Sequence, residues 1–139
     1  MRIHHIFIVL LLSVSPQGYA YDLQRSMDNL AEDVSTCVAF YTIVTVYAKQ
    51  NAERMNDAKW RETAKMYELT LNRALDLLRL TMPGKPESFV QSKIDLRIQG
   101  SSKTLQMEGI DRLLYLHANS CKALIENPDL RLKYWKEKQ

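Results

Sequence analysis

His117 and Cys121 are the pair whose residue types and spacing come nearest to a reactive constellation. Four positions apart, they share one face if the segment is helical. That spacing suits two ligands of one metal ion, and it also suits a thiol beside an imidazole base. The other histidines, His4 and His5, lie in an N-terminal stretch that reads as a removable leader, so the mature chain keeps His117 alone. A lone histidine excludes a zinc site built on several histidines and a di-iron bundle with paired Glu-x-x-His motifs. No Cys-x-x-Cys-His segment is present for covalent haem attachment. Any Ser-His-Asp or Cys-His machinery would have to use His117.

Acidic residues are the next candidates. Glu32, Asp33, Asp76, Glu108 and Asp111 could in principle act as acids or bases. Each stands among charged neighbours, as residues on solvated helix faces do, and no spacing sets two carboxylates across a cleft as glycoside hydrolysis needs. Glycine-rich phosphate loops and Asn-x-Ser/Thr acceptors are absent. The sequence therefore predicts no catalytic residue, no cofactor and no metal site.

What settles the reading of Cys121 is the start of the chain. Arg2 precedes an unbroken apolar run from Ile6 to Leu12, and Gly18-Tyr19-Ala20 comes after it with small residues where signal peptidase needs them. The expectation is a signal peptide over residues 1–20, cleaved after Ala20, and one domain over 21–139. The apolar run is far short of the roughly 20 residues that span a bilayer, so no transmembrane anchor is expected. Both cysteines, Cys37 and Cys121, fall in the exported part, where an oxidising compartment favours their pairing. A bonded Cys121 is neither thiolate ligand nor nucleophile. His117 then reads as a hydrogen-bonded core histidine on an apolar stripe.

The charge balance adds little. The formal net charge of +3 falls by one when Arg2 leaves with the leader. Nothing clusters basic and aromatic residues into a face suited to nucleic acid, so no nucleic-acid partner is expected. The C-terminal Arg131–Lys138 segment is basic and aromatic, and it could rest on an anionic membrane surface. A segment so short reads better as a last helix packing Leu130, Tyr134 and Trp135 on the rest.

The elements that must position these residues are helical throughout. Leu23, Met27, Leu30, Val34, Cys37, Tyr41, Val44 and Ala48 recur at four-three spacing, and the polar stretch Lys49–Asn56 ends that helix or frays. Trp60, Ala64, Tyr67, Leu71, Ala74 and Leu78 form a second stripe, with Asn56 or Asp57 as N-cap and Pro83-Gly84-Lys85-Pro86 as its stop. Phe89, Val90, Ile94 and Ile98 mark a third helix. At Gly100-Ser101-Ser102 the chain either breaks, with a serine capping the next helix, or runs on through one interior glycine at a cost of about 1 kcal/mol. Ile110, Leu114, His117, Cys121 and Leu124 give a fourth stripe, and Asn127-Pro128 opens a fifth helix. The predicted fold is all-α, a single small bundle of four to five helices stapled by one disulfide between the first helix and the fourth.

The plan of a signal peptide and a helical domain, with one cysteine in the first helix and one late in the chain, resembles that of immunity proteins against peptidoglycan amidase effectors. The resemblance is one of architecture and carries over no residue. A helical domain with no catalytic constellation and no cofactor motif, exported without an anchor, is expected to be a non-enzymatic protein-binding module of the cell envelope, periplasmic or secreted. The resemblance implies one of the inhibitor or immunity type that caps a toxic hydrolase; its partner would be another envelope or secreted protein. The alternatives are a carrier of a small apolar ligand, its core rich in Tyr, Met and Trp, or a periplasmic chaperone or adaptor.

Overall fold

Thirty-nine consecutive helical residues, α1 (Gln17–Met55), supply the axis on which the rest of the chain assembles. The structure, a computed structural model, describes the backbone of residues 17–138 and side chains from Gly18 to Lys138. The predicted signal peptide lies mostly outside the described residues; its last residues, Gly18 to Ala20, are exposed in the first turn of α1. After α1 come α2 (Ala58–Thr81), α3 (Glu87–Glu108), α4 (Ile110–Glu126) and α5 (Pro128–Glu137). The described residues thus form an all-helical bundle, as the four-three spacing predicts.

At a rise of about 1.5 Å per residue α1 is about 58 Å long, longer than any helix packed on it. It lies against α2 most extensively and also meets α3, α4 and α5. Its middle is apolar almost all round. Cys37, Val38, Ala39, Phe40 and Tyr41 are buried in succession, and so are Leu30, Ala31, Val34, Ile43 and Val44. The stripe read from the sequence, which Phe40, Ile43 and Tyr47 widen in its second half, is thus the middle of a wider girdle, the pattern of a helix enclosed by neighbours. Leu23, at the start of that stripe, is exposed. Three hydroxyls on α1 bond within the helix: Ser35 and Thr36 donate to the Glu32 carbonyl at 2.8 and 3.1 Å, and Thr42 to that of Val38 at 2.8 Å, whereas the buried Thr45 hydroxyl has no partner among the described residues.

Both cap candidates between α1 and α2 are used, for different tasks. Asn56 takes a left-handed backbone (φ 49°) that ends α1, a conformation asparagine tolerates better than most residues. Asp57 is the N-cap of α2, its Oδ1 accepting from the Lys59 amide at 2.7 Å. α2 buries Ala64, Ala74 and Leu78 and stops at Met82-Pro83, as two prolines and a glycine require.

Of the two courses open at Gly100-Ser101-Ser102, the chain takes the continuous one. α3 runs unbroken through Gly100, and neither Ser101 nor Ser102 caps a helix; Ser101 is buried inside α3. The chain turns at Gly109, whose φ of 83° and ψ of 175° suit only glycine, and which alone separates α3 from α4. Val90 and Ile94 form the buried face of α3 with Ile98 packed against it, but Phe89 is 43% exposed, with Lys85 over its ring. Across the α1–α3 seam Glu32 forms ion pairs with both Lys93 and Arg97. Asn127 sits between α4 and α5 with Pro128 in the first turn of α5, but its side chain makes no capping hydrogen bond.

Candidate binding cleft at the disulfide

Cys37 on α1 and Cys121 on α4 are joined, with Cα atoms 5.3 Å apart and a sequence separation of 84. Both are buried, because each occupies the apolar stripe of its own helix at the point where the two helices meet. Closing a loop of that length is worth about 4 to 5 kcal/mol on a chain-entropy estimate, a large share of a domain's typical net stability. The bond takes both sulfurs out of nucleophilic and ligand chemistry.

His117 lies one helical turn before Cys121, as the spacing requires, but not as a hydrogen-bonded core residue. It is half-buried, its ring centroid 5.8 Å from that of Phe40, and its imidazole makes no hydrogen bond among the described residues. Burial against apolar neighbours pushes its pKa below the ordinary imidazole value, so the ring stays neutral at neutral pH.

Together the disulfide and His117 border a cleft of about 490 Å³ between α1, α4 and α5. Cys37, Cys121 and Leu124 line it with sulfur and carbon, and Leu130 and Tyr134 of α5 contribute an apolar wall. Thr36, Ser120 and Asn127 bring neutral polar groups to the same space. The expectation that Leu130, Tyr134 and Trp135 pack down on the bundle holds for Trp135, which joins the edge of the core with Leu132. Leu130 and Tyr134 remain 65% and 40% exposed.

A carboxylate fixes α5 in place. Asp33 Oδ2 on α1 accepts from Arg131 Nε at 2.7 Å and from Trp135 Nε1 at 2.6 Å. Because Arg131 and Trp135 are four apart, one turn of α5 presents both donors to the same oxygen. The guanidinium also lies 4.7 Å from the Tyr134 ring centroid and 5.1 Å from that of Trp135. Its hydrogen bond to Asp33 raises the Arg131 pKa above the ordinary value, outweighing its partial burial.

The remaining acidic candidates are not gathered at this place. Glu32 is turned to the α1–α3 seam, Asp76 pairs with Arg79 at 3.5 Å, and Glu108 with Arg112 at 3.0 Å. Asp111 is exposed in the first turn of α4. No group of three or more His, Cys, Asp or Glu side chains among the described residues could hold a metal ion. The sequence reading missed Asp33, Arg131 and Trp135 as a unit, since 98 residues separate Asp33 from Arg131. The one local trace is the Arg131-x-x-x-Trp135 spacing, which places a cation and an indole donor on one face.

No protein-family model matches the chain, and neither a curated protein nor a solved structure does. Among the described residues no helix is long and apolar enough to cross a membrane.

Proposed function

We propose that the chain is an exported, non-enzymatic protein-binding module of the cell envelope, of the inhibitor or immunity type that caps a toxic hydrolase. The observation that supports this most is the buried Cys37–Cys121 bridge. A covalent tie of this kind persists in oxidising compartments, which agrees with the leader read over residues 1–20. A helical body held by such a tie presents a rigid face, and rigidity limits the ordering that association would otherwise cost.

Affinity capture from envelope extracts, followed by a peptidoglycan-lysis assay, tests this reading. A hydrolase should be recovered in stoichiometric amount, and an equimolar addition of the protein should stop its lysis of cell-wall material. Recovery of a bare monomer, or a captured hydrolase that still works at full rate, would overturn the reading. The compartment is checked separately: without prior reduction, an alkylating reagent should label neither cysteine of the protein isolated from the envelope.

A further inference from the structure

The cleft beside the disulfide has the dimensions and chemistry of a small-molecule site. Its volume of about 490 Å³ falls within the roughly 300–1,000 Å³ common for ligand pockets. Its surfaces are mainly carbon and sulfur, with polar groups from Asp33, Thr36, His117, Ser120, Asn127 and Arg131 among them. Two of those, the His117 imidazole and the Asn127 carboxamide, make no side-chain hydrogen bond among the described residues and so have donors and acceptors to offer.

Charge decides the class of ligand. The charged side chains that line the cleft are Asp33 and Arg131, and they are bonded to each other. A charged ligand entering here would lose hydration with no free counter-charge to replace it, whereas a neutral one would lose little. We propose that the cleft binds one uncharged amphipathic organic molecule, its apolar body against the disulfide, Leu130 and Tyr134 and its polar end toward His117 and Asn127. α5 is the wall that admits it. None of its residues is fully buried, so a small outward movement about the Asp33 clasp exposes little core. This proposal does not rest on the hydrolase reading.

The test compares two probes with the same aromatic skeleton. N-phenyl-1-naphthylamine is neutral, and 8-anilinonaphthalene-1-sulfonate carries a sulfonate. Titrated into the oxidised protein, the neutral probe should brighten and saturate at one molecule per chain, and the sulfonate should bind more weakly by a factor of about ten or more. Ser120→Trp fills the cleft from an exposed position of α4 and should abolish saturation while the circular dichroism and melting temperature stay unchanged. Asn127→Asp adds no bulk but places a carboxylate at the polar end, and should weaken the neutral probe about fivefold or more. Absence of a saturable response to the neutral probe overturns the proposal. So does equal affinity for the two probes, or a folded Ser120→Trp chain that binds like the parent. Should Ser120→Trp fail to fold, wild-type affinity in Asn127→Asp overturns it in the same way.

Discussion

α2 and α5 are both fastened to α1, but by different physics. α2 buries Ala64, Ala74 and Leu78 along α1, so its attachment scales with apolar area and has little directionality. α5 has no fully buried residue, and what orients it is one oxygen of Asp33 shared by Arg131 and Trp135. The first arrangement resists salt and tolerates small shifts. The second is directional and centres on one carboxylate, with Leu132 and Trp135 meeting only the edge of the core. The contrast divides the molecule into a body held by buried apolar area and a wall beside the cleft held by a directional clasp.

The sharpest challenge to this division is Leu78→Ala. Leu78 is fully buried, and deleting its side chain should cost about 2 to 5 kcal/mol of global stability in urea denaturation. Asp33→Ala should behave otherwise. A charge-assisted hydrogen bond contributes about 1.5 to 3 kcal/mol at most, and partial exposure of Asp33 lowers that, so a global loss of about 1 kcal/mol is expected. Its main effect should be local, as faster amide exchange over α5 and a shift of Trp135 fluorescence toward that of a solvated indole. Equal losses for the two variants, or an Asp33→Ala chain whose α5 stays as protected as before, would erase the contrast.

The smallest effect expected is a pH dependence at the cleft. His117 has a folded-state pKa below its unfolded value because burial disfavours the imidazolium. The unfolded chain therefore binds the proton first as pH falls, so stability contributed by neutral His117 is intact above the ordinary imidazole value of about 6.5 and declines below it. His117→Asn should flatten that slope between about pH 7 and pH 5. A slope unchanged in His117→Asn would show that the ring does not sense the cleft wall.

The parts of this fold legible in the sequence are those with a local cause. Asp57 caps α2, Pro83 and Gly84 come just after its end, and Pro128 starts α5, each through a preference carried within a few residues. The meeting of Cys37 and Cys121 was legible too, because each lies on a buried stripe. Gly109 was not distinguished from Gly100, since a glycine's identity does not reveal whether its backbone takes positive φ; the surrounding packing decides that. Phe89 and Leu130 sit on apolar patterns yet face outward, because a pattern records hydrophobicity and not how much neighbouring surface is available to cover it. The Asp33 clasp joins residues about a hundred positions apart and left only the Arg131-x-x-x-Trp135 spacing as a local trace. The cleft was illegible for the same reason: it is a space between three helices, and no segment encodes it alone.

The corner at Gly109 also governs where the molecule accepts added chain. A single residue links α3 to α4, and α4 carries the cysteine that must reach α1. Lengthening that corner changes the starting point of α4, and with it the approach of one sulfur to the other. The exposed Pro83–Pro86 connection imposes no such demand, since it joins helices that carry no half of the bridge. A tag, a fluorophore-bearing loop or a new chain terminus therefore belongs in the prolyl connection, and the glycine corner is the place where even one extra residue would be felt in oxidation yield.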